Sequence, residues 1–147
     1  MKIYLSHPTK SREVIESWQK YFEKETGFEL INPFAGEGLK NEKEIEVLES
    51  EIKNVKKLVM GDLRSMLNCD CVVAVFDNNY SVGVPIEIAY AKTNGLKVYS
   101  IVVNGRENNP FIRYFSDLVF LDFNELIGFF KAQEVKQWKM NIKNWEL

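Results

Sequence analysis

The feature that most constrains this chain is the run Cys71-Val72-Val73-Ala74-Val75-Phe76, apolar without interruption and rich in β-branched side chains. Too short for a buried helix and without polar alternation, it has the pattern of a strand covered on both faces. Lys97 to Val103 reads as another buried strand. Strands of this kind belong to parallel sheets, whose neighbours must be joined by crossovers.

The segments between them supply the crossovers. Lys2 to Leu5 reads as a first strand, stopped by Ser6-His7-Pro8. Ser11 is placed to cap a helix carrying Val14, Trp18, Tyr21 and Phe22 at helical spacing, with Gly27 as its stop. Phe28 to Ile31 is a second strand, followed by a glycine-containing loop from Phe34 to Asn41. Ile45, Leu48, Ile52, Val55, Val59 and Met66 then predict a helix from about Glu42 to Leu67. Glu42, Glu44, Glu46, Glu49 and Glu51 precede Lys53, Lys56 and Lys57, an order that complements the helix dipole and marks a solvated face.

Pro85 opens a helix that Gly95 ends, and Pro110 opens a short one through Tyr114. Leu118 to Leu121 is a fifth strand, followed by a helix from Asn124 to Lys131 and a helical tail over 131–147. Strands alternate with helices throughout. The expectation is one α/β domain over 1–147, flavodoxin-like or Rossmann-like, with a five-stranded parallel sheet in order 2-1-3-4-5 sandwiched by helices.

Composition narrows the function classes. The 147 residues carry 19 Lys+Arg against 21 Asp+Glu, a net charge of −2, which argues against a grip on polymeric nucleic acid or an anionic membrane. No apolar run is long enough to span a bilayer, and Met1-Lys2 does not open a signal-peptide pattern. Cys69 and Cys71 lie one residue apart, poorly placed to bridge, so they read as core residues of a cytoplasmic protein. His7 is the only histidine, which leaves metal binding without a starting ligand set. Neither a G-x-G-x-x-G nor a P-loop is present.

In open α/β sheets ligands bind at the carboxyl ends of the strands, near the point where strand order reverses. That selects three loops: Ser6 to Lys10, Phe34 to Asn41, and Asp77 to Glu87. Two carboxylates stand out beside them. Asp62 falls on the apolar stripe of the long helix, where it must be bonded, paired or turned to a polar cavity. Glu87 lies in the first turn of the helix that Pro85 opens. Two carboxylates in one crevice can be driven to different protonation states, one an acid and one a nucleophile. On spacing alone a plain reading stays open. Glu87 would then cap its helix, worth about 0.3–1 kcal/mol, and Asp62 would pair with Arg64 or a lysine.

The segment Ser81-Val82-Gly83-Val84-Pro85-Ile86-Glu87-Ile88-Ala89-Tyr90-Ala91 resembles the signature of the nucleoside 2-deoxyribosyltransferase family. There a loop containing glycine, here Gly83, leads to a glutamate that attacks the anomeric carbon. Ile3-Tyr4-Leu5-Ser6-His7-Pro8 resembles the family's opening strand, with a tyrosine near the nucleophile. Asp62-Leu63 with Asn68-Cys69-Asp70 resembles its aspartate and the strand that follows, and Asn109-Pro110-Phe111-Ile112 a loop whose asparagine reaches a neighbouring subunit's sugar. The resemblance runs in order over most of residues 1–125. One departure is informative: the transferases carry an aspartate six residues before the nucleophile, where this chain has Ser81. A serine there resembles the related 2′-deoxynucleoside 5′-phosphate N-hydrolases, and a hydroxyl can donate to a phosphate that an aspartate would repel.

The resemblance implies cleavage of the N-glycosidic bond of 2′-deoxynucleosides or their 5′-monophosphates, through a deoxyribosyl ester on Glu87, with transfer to another base or to water. Asp62 would protonate the leaving base and Tyr4 orient Glu87. Ser81, Gly83, Asn109, His7, Lys10 and Phe34 would contact substrate, Lys10 together with Arg12 as positive charge and Phe34 by stacking. No metal or organic cofactor is required. A subunit-crossing Asn109 implies a homodimer or larger assembly, to which Trp138 and Trp145 can contribute. The rival reading is a nucleotide-binding sensor without catalysis.

Overall fold

The computed structural model describes residues 1–34 and 52–145. The loop expected over 35–41 and the helical stretch expected over 42–51 lie outside the described residues. Five strands, β1 (Lys2–Ser6), β2 (Glu29–Ile31), β3 (Cys71–Phe76), β4 (Lys97–Val102) and β5 (Leu118–Phe120), form one sheet ordered β2-β1-β3-β4-β5, every pair parallel. The helices are α1 (Arg12–Thr26), α2 (Ile52–Leu67), α3 (Gly83–Thr93), α4 (Pro110–Phe115) and α5 (Phe123–Trp145), with a 3-10 turn at Thr9–Ser11. The expected order and five-stranded parallel sheet are present. The last helix and the tail are one continuous helix.

Strand periodicity divides the core in two. On one face Ile3, Leu5, Val73 and Ile101 pack with Ile15 and Phe22 of α1 and Leu126 and Phe130 of α5. On the other, Tyr4, Val72, Ala74 and Val98 pack with Met66 of α2 and Val84, Ile88 and Ala91 of α3. Tyr4 thus faces the helices that carry Asp62 and Glu87, placed there by a one-residue offset from Ile3 and Leu5.

Several local expectations change. Val14 and Tyr21 of α1 are solvent-exposed, Phe22 is buried as expected, and Ile15 and Thr26 are buried with it. Trp18 and Phe22 fit either stripe, and the aromatic stack decides between them: Trp18 lies 4.9 Å from Phe123, and Phe22 lies 5.4 Å from Phe130. In α2, Val55 and Val59 are also exposed, and the helix packs through Leu63 and Met66. Ser11 makes no cap bond with its own helix. Gly27, at φ 72°, does end α1 in the left-handed conformation that suits glycine. Cys69 and Cys71 are buried free thiols, and burial pushes the Cys71 thiol up to about 12.

One polar cluster pins the far edge of the sheet. Asp117 accepts from Lys92 Nζ at 2.5 Å and from the Val98 amide at 2.9 Å, while Lys97 Nζ stands 3.5 Å away. Burial alone would raise the Asp117 pKa, but the bonds from Lys92 and Val98 outweigh it and hold the carboxyl below its ordinary 3.8. A depressed carboxylate contributes stability that is present above the unfolded value and lost as pH falls through the folded one. Asp117→Asn is therefore expected to lower unfolding free energy by about 1–3 kcal/mol at pH 7, with the difference from wild type shrinking below pH 4. Urea titrations at pH 7 and pH 3 check this.

Candidate active site

The crevice forms where β1 and β3 end and their crossovers depart in opposite directions. Its loops are tied together by hydrogen bonds. Ser11 Oγ donates to Asp77 Oδ2, and the Asn79 amide nitrogen donates to Ser11 Oγ at 3.0 Å. The Asn79 backbone N–H donates to Asp77 Oδ1 at 2.8 Å, and Asn104 Nδ2 donates to the Asp77 carbonyl at 3.1 Å. One aspartate at the end of β3 thus joins the loops after β1, β3 and β4. Sequence reasoning missed this knot. Its signal was an Asp directly after a doubly buried strand, with a Ser that looked like a cap.

Helix α3 begins at Gly83, two residues before Pro85, so Pro85 occupies a first-turn position where no amide donor is needed. Glu87 consequently stands one turn into the helix, and the first turn contains no acidic residue. The reading of Glu87 as a cap is overturned. Ser81 takes that part instead: its Oγ accepts from the Val84 N–H at 3.2 Å, which leaves the hydroxyl proton free to donate outward.

Glu87 faces the sheet, where the Tyr4 hydroxyl and Asp62 approach it. Tyr4 is fully buried, yet neither its hydroxyl nor Glu87 Oε2 completes a hydrogen bond of normal geometry. Burial raises the Glu87 pKa, the Tyr4 interaction lowers it, and the charge of Asp62 raises it; the result is about 7. Burial followed by the charge of Glu87 pushes the Tyr4 phenol far above its ordinary value, so Tyr4 remains a proton donor. Gly83 keeps this site open. A Cβ there would stand 3.6 Å from Glu87 Oε1 and 3.9 Å from Ser81 Oγ, filling the space between them.

The other expected residues have different surroundings. His7 is buried, with Nδ1 2.9 Å from the Pro8 carbonyl and Nε2 3.0 Å from Asn32 Oδ1. Burial pulls its imidazole below the ordinary value, opposed by those two contacts and by Asp77. Phe34 packs edge-on against His7 with ring centres 5.1 Å apart. Lys10 is exposed on the 3-10 turn. Asn109 caps α4: its Oδ1 accepts from the Phe111 and Ile112 amides at 2.9 and 3.3 Å, leaving the amide nitrogen for an outside contact. The structure thus brings together Tyr4, Asp62, Ser81, Gly83 and Glu87. It sets His7 and Phe34 in a packed pair, and Asn109 lines the same cavity wall as Ser81.

Among solved structures, a 2-deoxyribosyltransferase of the psychrotolerant bacterium Bacillus psychrosaccharolyticus matches with a TM-score of 0.68 at 19% identity, over 86% of this chain and 90% of that one. The fold is that of a 2-deoxyribosyltransferase. The CMP N-glycosidase BcmB of Clostridium botulinum matches with a TM-score of 0.53 at 21% identity, over 94% of this chain and 99% of that chain. No protein-family model and no curated protein matches the sequence. No group of three His, Cys, Asp or Glu among the described residues is placed to hold a metal ion. No helix among the described residues is long and apolar enough to cross a membrane.

A carboxyl with its pKa raised from 4.5 to about 7 binds its proton more tightly folded than unfolded. Stability is then lost as pH rises between those values. Glu87→Gln, which keeps the shape without the charge, is expected to melt several degrees above wild type at pH 8 and close to it at pH 4. Thermal unfolding monitored by circular dichroism at both pH values checks the sign.

Proposed function

We propose that the chain cleaves the N-glycosidic bond of 2′-deoxynucleosides or their 5′-monophosphates through a covalent deoxyribosyl ester on Glu87. The observation that carries this reading is the Glu87 carboxyl itself: buried at Oε2 without a partner, beside Tyr4 and Asp62, at the switch-point crevice of a 2-deoxyribosyltransferase fold. A structural or helix-capping glutamate has no reason to be held there. A nucleophile does, because a partly desolvated carboxylate is a stronger one.

In the first step a Glu87 oxygen forms a bond to C1′ as the C1′–N bond breaks. The electron pair goes to the departing base, which takes the single proton the coupled Glu87–Asp62 pair shares, carried by Asp62 when Glu87 is the ionised member. In the second, a nitrogen of an incoming base or a water oxygen attacks C1′. The ester C–O bond breaks, its electron pair returns to Glu87, and Asp62 recovers the proton. The Tyr4 hydroxyl donates to Glu87 and fixes which oxygen faces the sugar.

Ser81 supports the 5′-phosphate form. Its free hydroxyl proton stands at the amino end of α3, where an aspartate would oppose an anion. The fold neighbour named a CMP N-glycosidase acts, by that name, on a 5′-monophosphate, although of a ribonucleoside. Assembly into a homodimer or larger species is part of the same reading. Asn109 retains an outward amide, and Val59 and Ile86 expose apolar side chains on the two helices that bear the carboxylates. The side chains of Trp138 and Trp145 lie outside those described.

The test is incubation of deoxynucleosides and their 5′-monophosphates with and without a second free base. Base exchange marks transfer, free deoxyribose or its phosphate marks hydrolysis, and tight binding without either marks the sensor reading. Glu87→Ala is expected to lower turnover by at least about 10³-fold, and a mutant with full activity overturns the covalent mechanism. Because Glu87 must be ionised to attack, kcat/KM is expected to rise with pH along an acid limb centred at about 7. Asp62→Asn is expected to slow poor leaving groups more than activated ones, measured by comparing natural bases with a nitrophenyl or similarly acidic aglycone.

A further inference from the structure

A cavity of about 620 Å³ opens beside this site, and Glu87 is not among its walls. It is bounded by the loop after β3, the first half of α3, and the loop after β4 with α4. Its floor is apolar: Val75, Val84, Ile88, Ile112 and Phe115. Two aromatic rings stand in solvent on separate walls, Tyr80 at 86% exposure from the loop after β3 and Phe111 at 73% from α4.

The polar groups at this cavity favour an anion. Arg106 forms no ion pair among the described residues. The one carboxylate in the walls, Asp77, already accepts from Ser11 on one oxygen and from the Asn79 amide on the other. A planar, partly apolar ligand with a negative group fits a wall of this chemistry: a ring to stack on Phe111 or Tyr80, and a phosphate for Arg106.

The cavity is contiguous with the proposed nucleophile. Ser81 belongs to its wall, and a Cβ at Gly83 would lie within 4 Å of both Ser81 Oγ and Glu87 Oε1. A sugar held at Glu87 with its 5′ end at Ser81 therefore points its 5′ substituent into this space. A single phosphate leaves most of 620 Å³ unfilled, whereas cavities of roughly 300–1,000 Å³ suit ligands the size of a nucleotide.

We propose that this cavity is a substrate subsite for a second nucleoside unit joined to the 5′ phosphate, so that the preferred substrate class is a dinucleotide. Arg106 pairs with the linking phosphate and Phe111 stacks on the distal base. This deepens the glycosidase reading and rests on it for the placement of the sugar.

The test offers one deoxynucleoside in four forms: free, as its 5′-monophosphate, 5′-linked to a second nucleoside through a phosphodiester, and 5′-linked through a pyrophosphate. The expected result is a kcat/KM at least tenfold higher for one of the two dinucleotides than for the monophosphate. Arg106→Ala and Phe111→Ala should lower that value about tenfold more than they lower the value for the free nucleoside. Equal rates for monophosphate and both dinucleotides overturn the subsite, as does an equal loss on all four compounds. If none is cleaved, the glycosidase reading has failed, and calorimetry with the same dinucleotides decides the subsite separately. Binding that Phe111→Ala weakens supports it; no binding overturns it. Sedimentation of Phe111→Ala as a smaller species than wild type assigns the cavity to a contact between copies and also overturns it.

Discussion

The parallel pairing of β1 with β3 is the constraint on which everything else depends. Register sets Tyr4 beside Val72 and Ser6 beside Ala74, on strands with helices on both faces. Parallel neighbours cannot be joined by a tight turn, so every connection crosses over and every strand ends at the same edge. The connection from β1 leads through α1 to β2 on one side, and that from β3 leads through α3 to β4 on the other. The chain must part above β1 and β3, and the crevice is where it parts.

The carboxyl in that crevice is held against its own solvation. A helix cap would stabilise its neighbours, whereas Glu87 loses hydration, faces the charge of Asp62, and leaves one oxygen without a partner. Tyr4 offsets only part of this. Such an arrangement persists because the surrounding core is independently stable, with Ile88 and Val84 buried on either side of Glu87 in sequence. The Asp77 knot supplies the rest: its hydrogen bonds tie together the three loops at this edge of the sheet.

How much of this was legible depended on the kind of signal. The strands were plain because a doubly buried strand must be apolar at every position, as Cys71 to Phe76 is. Helix faces were less so. Val14 and Ile15 are adjacent and both apolar, and only the packing of Trp18 and Phe22 against α5 decides which one is buried. Ser11 reads as a cap from the sequence because its real acceptor, Asp77, is 66 positions away. Asp62 was visible as a misfit, a charge on an apolar stripe, and Glu87 by its place near the start of a helix at the carboxyl edge of the sheet. Their mutual influence was not, since it depends on how closely α2 and α3 pack.

The sequence by itself determined the strand order, the crossovers and the edge at which chemistry is possible, because periodicity and turn residues are local properties. It also carried the motif that resembles a deoxyribosyltransferase signature. Tertiary structure alone decided that Glu87 stands one turn into its helix and is partly desolvated, that Ser81 caps that helix with its proton free, and that His7 is packed rather than open. It alone revealed the cavity beyond Ser81. These are distances between residues far apart in the chain, and desolvation, charge coupling and cavity shape depend on such distances and not on spacing along the sequence.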